Sequence, residues 1–176
     1  MMTRTRITDT RHPFFSRTWE LYESAFPADE RRTLHPQSKV MERAAYHFEV
    51  VTDNDAFVGL LLWWHFDDVR YVEHLATLPG LRGKGYGKQV LETFVAESDV
   101  PVWLEVEPPT DEMKRRRVGF YQRLGFALNA HHYMQPPYTE GGSPVPLLLM
   151  THPITVTEAA VRDFCRTYHP VLTDYT

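Results

Sequence analysis

Between an apolar run that closes at Thr77 and an amphipathic run through Val90, Leu91, Phe94 and Val95, the chain places Pro79, Gly80, Gly83, Gly85 and Gly87. Glycine and proline at this density end the run before them and free the backbone of side chains. A strand that passes through such a loop into a helix presents bare amides at the helix N-terminus, an anion site that usually takes phosphate. Two familiar phosphate loops do not fit. A dinucleotide fingerprint anchored on Gly83 and Gly85 wants a third small residue at position 88, where Lys88 stands. A P-loop ending in Gly87-Lys88 wants glycine at 82 and Ser or Thr at 89, where the chain has Arg82 and Gln89.

Around this loop the pattern predicts a short strand at Thr5 to Thr8 and a helix from Pro13 to Phe26, on the spacing of Phe14, Phe15, Trp19, Tyr22 and Phe26. A second helix runs through Val40, Met41 and Ala44. Strands Tyr46 to Thr52 and Phe57 to His65 follow, joined by the polar turn Asp53-Asn54-Asp55. After a turn at Asp67-Asp68 come a strand Tyr71 to Thr77, the loop with its helix, and a strand Val100 to Val106 that Pro108-Pro109 ends. A helix from about Asp111 to Leu124 takes Gly125 as a left-handed cap. Strands Phe126 to Met134 and Val145 to Met150 precede an amphipathic helix Val156 to Tyr168 that starts at Thr155 or Thr157. This order predicts an α/β (mixed α+β) fold: one mixed sheet of about seven strands with helices on both faces. The unit from Tyr71 to Val106 is expected to be a right-handed parallel crossover.

Composition narrows the class. With 176 residues, 43% of them hydrophobic and 13% aromatic, the chain can bury the core of a single domain spanning 1–176. A net charge of -4 argues against a general polyanion partner, so no nucleic acid is expected. The single cysteine, Cys165, excludes an internal disulfide and fits a reducing compartment. Met1 to Arg11 lacks the apolar run of a secretory signal. The longest apolar stretch, Phe57 to Trp64, falls short of the ~20 residues that cross a bilayer. A cytoplasmic protein without a membrane partner is the expectation.

Three segments resemble the motifs of one family, the GCN5-related N-acetyltransferases (GNAT). Arg82-x-x-Gly85-x-Gly87 is similar to its R/Q-x-x-G-x-G/A loop. Glu73-His74-Leu75-Ala76-Thr77-Leu78-Pro79 resembles its strand reading apolar-Ala-Val/Thr-x-Pro, and Phe120-Tyr121-Gln122-Arg123-Leu124-Gly125-Phe126 its F-Y-x-x-x-G-F stretch. The likeness covers Tyr46 to Met134. It implies an acetyl-coenzyme A (acetyl-CoA)-dependent N-acetyltransferase that acts by direct transfer in a ternary complex, with 45–134 as the cofactor-binding region and 155–176 as C-terminal helix and tail. The backbone of Arg82, Gly83, Lys84, Gly85, Tyr86, Gly87 and Lys88 would hold the pyrophosphate. The main chain of Leu75, Ala76 and Thr77 would pair with pantetheine. Where the family often has an asparagine after the next strand, this chain has Pro108, Pro109, Thr110 and Asp111.

An amine that attacks a thioester needs to lose a proton, and the departing thiolate needs one. Glu73, placed as in histone-type members of the family, is the candidate base; a solvent-facing glutamate or one paired with an arginine is the plain alternative. Tyr121 is the candidate acid, or else a core tyrosine between helix and sheet. Phe26, Glu105 and Tyr133 are candidate acceptor contacts, and the acceptor is a small-molecule or a protein amine. Glu105 and Glu107, two apart, are expected to share a face that attracts cationic amines. Lys114 to Arg117 reads as a solvated helix face or a grip on a phosphate. Nine histidines supply no helical pair, so no metal is expected. Cys165 reads as a helix core residue. A homodimer stays open, as does a second reading of the whole chain: a coenzyme A-binding or ligand-sensing module without turnover.

Overall fold

Asn54 and Asp55 both take positive φ, 49° and 69°. This is the two-residue turn whose twist matches an antiparallel hairpin. It joins β2 (Tyr46–Asp53) to β3 (Ala56–His65), and the rest of the sheet in the computed structural model, which describes residues 1–174, extends from this ribbon. β1 (Met2–Arg6) pairs with β2, and β4 (Arg70–Thr77) with β3, all antiparallel. β5 (Val102–Val106) joins β4 in parallel. β8 (Val145–His152) runs antiparallel to β5, and β6 (Ala127–Leu128) and β7 (Tyr133–Gln135) pair with successive stretches of it. The result is one mixed sheet of eight strands.

Helices cover both faces. Along β3, Leu60, Leu62 and Trp64 pack on one side and Leu61 and Trp63 on the other. The run from Phe57 to Trp64 is apolar throughout because neither side of the sheet is wet. α1 (Phe15–Ala25), α2 (Leu34–Val40) and α5 (Glu158–Leu172) close the first face through Phe15, Tyr22, Val40 and Phe164. α3 (Tyr86–Ala96) and α4 (Glu112–Arg123) close the second through Val90, Phe94 and Val118. Caps fall where the sequence asks for them. Asp111 accepts from Lys114 N–H at 2.9 Å, Thr157 accepts from Ala160 N–H at 3.1 Å, and Gly125 ends α4 at φ 91°.

Four elements depart from expectation. The second helix, expected through Val40, Met41 and Ala44, is α2, which ends at Val40 with Met41 as its cap. The strand expected over Phe126 to Met134 is two strands, which raises the count from seven to eight. Asn129 breaks it: its amide donates to Leu149 O and Thr151 Oγ1, while its Oδ1 accepts from Val156 N–H. The first strand lies earlier than Thr5 to Thr8, at Met2–Arg6. The last helix runs beyond Tyr168 to Leu172 and carries Pro170 within it. Tyr175 and Thr176, the end of the expected tail, lie outside the described residues.

Candidate active site

The parallel pairing of β4 with β5 is short: Arg70↔Val102, Tyr71↔Trp103, Val72↔Leu104, and then the strands part. Arg70 anchors the closed end, donating to Val100 O at 2.8 Å and Ser98 O at 3.0 Å just beyond α3. Past Val72, no strand among the described residues pairs with the main chain of β4 on that side. The Glu73 side chain is 0% exposed although the residue as a whole is not buried, so what is exposed there is its backbone. On the opposite edge β3 presses close: a Cβ on Gly59 would stand 2.2 Å from Ala76 O, so only glycine lets the strands approach.

At the open end of β4 sits the glycine loop. Gly83 and Gly85 have φ of 83° and 82°, left-handed values that side chains resist, and a Cβ on either would meet no protein atom within 4 Å. The backbone is therefore bent for reasons of conformation and bare for approach from outside. Gln89 N–H to Gly85 O, 3.0 Å, precedes the helix ladder and leaves the amides of Tyr86, Gly87 and Lys88 ahead of it. Such a cradle suits an anionic diphosphate. The Tyr86 hydroxyl donates to Asp53 at 2.8 Å and ties the start of α3 to the β2–β3 hairpin. A cavity of ≈ 570 Å³ opens between that hairpin and Leu78 to Leu81.

Glu73 lies on the face covered by α1 and α5. A register shift pairs Leu62 with His74 and Trp63 with Val72, so Glu73 is the extra residue of a bulge. Arg32, 4% exposed in its side chain, holds Glu73 with two bonds of 2.6 and 2.9 Å, and Trp64 Nε1 donates a third at 2.8 Å. Burial alone would raise the Glu73 pKa; the Arg32 guanidinium outweighs it and holds the carboxyl below its usual range. Arg32 also sits over the rings of Tyr138 and Tyr46, at 4.8 and 5.7 Å. His74 gives its Nε2–H to Glu30 O at 2.8 Å, and burial lowers its pKa to about 4, so it is neutral. Phe26 packs edge-on against that ring at 4.5 Å.

Glu105 is half-buried, and among the described residues no cation meets it. Tyr133 donates to one oxygen at 2.5 Å and Gln135 Nε2 to the other at 3.0 Å. Burial pushes its pKa up, against the hydroxyls of Tyr133 and Tyr71 and the amide of Gln135. Glu107 does not share its role. It lies beyond β5 and is held by Arg117 at 3.1 Å and Lys114 at 3.5 Å from α4. The arginine run is otherwise exposed, with Arg116 on Glu112 at 2.8 Å.

Tyr121 belongs to the other face, in the cluster with Val118 and Phe126, its ring 5.9 Å from that of Phe126. Among the described residues its hydroxyl has no hydrogen-bond partner, and burial raises its pKa. A Cβ on Gly87 would touch Phe120 Cζ at 3.6 Å, which puts the mouth of the glycine loop beside the Phe-Tyr pair. The structure thus brings Glu73, Glu105, Phe26 and Tyr133 to one face of the parted strands, and Tyr121 to the other. Arg32, Gln135, Tyr138 and His169 sit in segments without motif signal and were not singled out from the sequence; His74 stands within the strand motif but was given no role of its own. Among the described residues no three His, Cys, Asp or Glu could hold a metal ion, and no helix is long and apolar enough to cross a membrane.

Residues 44–128 match a family model described as an acetyltransferase (GNAT) domain. The chain is similar to a solved Bacteroides thetaiotaomicron structure assigned to the GNAT family, with 36% identity and a TM-score of 0.90 over 97% of this chain and 98% of that one. It is similar in fold to the ribosomal-protein-S18-alanine N-acetyltransferase of Escherichia coli, with 19% identity and a TM-score of 0.61 over 89% and 96% of the two chains. A spermidine N-acetyltransferase chimera from Vibrio cholerae shares the fold at 14% identity, with a TM-score of 0.63 over 85% and 93%. No curated protein sequence matches the chain.

Proposed function

The chain belongs to the GCN5-related N-acetyltransferase family, and from that premise we propose that it passes the acetyl group of acetyl-CoA directly to a primary amine in a ternary complex. The observation that carries this reading is the parting of β4 from β5 after Val72 and Leu104, with the glycine loop at the open end. The parted strands offer the main chain of Leu75, Ala76 and Thr77 for pairing with pantetheine, and the amides from Arg82 to Lys88 suit a diphosphate. The cofactor supplies an activated acetyl thioester. This chain's residues orient it, strip a proton from the amine and return one to the leaving sulfur.

Tyr121, beside the mouth of the loop, is the proton donor. Its raised pKa makes that donation concerted with thiolate departure rather than a separate step. For the base, the geometry favours Glu105 over Glu73. A carboxylate locked to Arg32 with a depressed pKa is a poor proton acceptor, so Glu73 serves to position Arg32 and Trp64. Glu105, ionised by neutral donors alone, holds the proton more strongly. Glu105→Gln then lowers kcat by about 10²- to 10⁴-fold at neutral pH with partial recovery at high pH, where the amine deprotonates unaided. A larger loss in Glu73→Gln than in Glu105→Gln, at unchanged stability, reverses the two roles.

The acceptor in this reading is a cationic amine, polyamine-like or lysine-like, without a carboxylate near its nitrogen. Half-buried Glu105 and the aromatic walls of Phe26, Tyr133 and Tyr138 support it, as does the polyamine named for a relative of the same fold. A second reading, a coenzyme A-binding module without turnover, draws on the neutralised Glu73 alone.

A further inference from the structure

The geometry points to His169, on the last turn of α5, as a positioning residue that acts through Tyr133 to keep Glu105 ionised. This rests on the reading of Glu105 as the base, and it assigns to the C-terminal helix a part in the chemistry.

The Tyr133 hydroxyl lies 2.5 Å from Glu105 Oε2 and 2.9 Å from His169 Nε2. A phenol has one proton to give. The shorter contact has the length of an O–H donated to a carboxylate, so Glu105 receives it. The Tyr133 oxygen then accepts, and its donor is His169 Nε2–H, which fixes the imidazole in the tautomer with Nδ1 bare. Burial lowers the His169 pKa to about 4, so the ring donates as a neutral group.

Among the described residues, neutral donors are the only ones Glu105 has. The groups facing it are Tyr71 and Glu73 from β4, Tyr133 and Gln135 from β7, Tyr138 from the loop after β7, and Cys165 from α5. None of these is a cation, and Glu73 opposes a second negative charge. A buried carboxylate so placed takes up a proton unless hydrogen bonds favour its charged form. The Tyr133 bond does so, and a donor behind the hydroxyl strengthens the bond and keeps the hydroxyl aimed at Oε2. In the reaction, an N–H bond of the ammonium breaks as an O–H bond forms on Glu105, and the nitrogen keeps the electron pair. That step needs Glu105 charged beforehand.

The test is a ¹³C NMR titration of the full chain labelled at glutamate side-chain carboxyls, with Glu105 assigned by its loss in Glu105→Gln. Tyr133→Phe raises the Glu105 midpoint by about one to two pH units, the scale of one hydrogen bond to a charged group. His169→Phe raises it by about half a unit or more, and His169→Gln, whose amide can donate to the same oxygen, restores it. His169 is partly exposed, so its variants fold even where Tyr133→Phe does not. A midpoint unmoved or lowered by His169→Phe, or no rescue by His169→Gln, overturns the proposal. The titration needs no substrate, so it separates this inference from the choice of base: an upward shift in a protein whose turnover ignores Glu105→Gln sinks the base assignment and leaves the chain of hydrogen bonds standing.

Discussion

Glu73 and Glu105 are the first residues beyond the last paired positions of the parallel strands, Val72 and Leu104, and only Glu73 is matched by a cation. The two carboxylates flank the head of the same cleft in opposite electrostatic states. Arg32 makes the difference, reaching in from the segment between α1 and α2 to cancel one charge.

Arg32→Met leaves Glu73 buried without its partner, and breaking a buried pair in this way costs about 3–5 kcal/mol. The pH dependence has a definite sign. In the wild type the Glu73 pKa is depressed, so the pair's contribution is full above the unfolded carboxylate value and is lost as pH falls through the lower folded one. In the variant the carboxyl is buried uncompensated, its pKa rises, and protonation relieves the cost in acid. Urea unfolding at pH 7 and pH 4 therefore gives a smaller difference between the two proteins at pH 4. Equal differences at both values contradict the buried-pair account.

At the loop, Gly87 is a cleaner probe than Gly85. Gly85→Val strains a left-handed residue at φ 82° as well as blocking approach, whereas Gly87 has no such φ and its Cβ makes an ordinary contact at 3.6 Å. Gly87→Val is expected to lower acetyl-CoA affinity at least tenfold by calorimetry while Tm moves by no more than a few degrees. Unchanged affinity in the folded variant removes the loop from the binding site.

The loop, the hairpin and the two motif segments were legible in the sequence because each is local: glycine forces the backbone, Asn54-Asp55 forces the turn, and a strand buried on both faces must be apolar. What lay hidden depends on distant partners. Nothing near Arg32 in the chain announces that it will bond Glu73, and Asn129 breaks a strand by contacts with Thr151 and Val156. Glu105 and Glu107 look alike in an alternating pattern, yet the strand ends between them and α4 takes Glu107. His169 lies one residue beyond Tyr168, where the expected helix stops, so its place beside Tyr133 could not be read.

For Tyr121 the absence of a protein partner for its hydroxyl separates chemistry from folding. Tyr121→Phe is expected to lower kcat about ten- to a thousandfold, with acetyl-CoA affinity and Tm near wild type. Steady-state kinetics under conditions where chemistry limits the rate check this. A wild-type kcat makes the residue packing alone.

In the proposed reading, the charge on Glu105 selects the acceptor. An alkyl diamine is expected to exceed a matched α-amino acid in kcat/KM by about tenfold or more at low salt, with the gap narrowing as ionic strength rises. Parallel assays at low and high salt decide it. A preference for the amino acid that salt leaves unaltered places no negative charge at the acceptor nitrogen.

The most direct measurement of the whole account is the release of free coenzyme A thiol from acetyl-CoA across a panel of primary amines, with the products weighed by mass spectrometry. The account predicts thiol release that depends on the amine, one acetylated amine for each thiol, and loss of both in Gly87→Val. Acetyl-CoA that binds and stabilises the protein, yet yields neither thiol nor acetylated amine from any member of the panel, contradicts it.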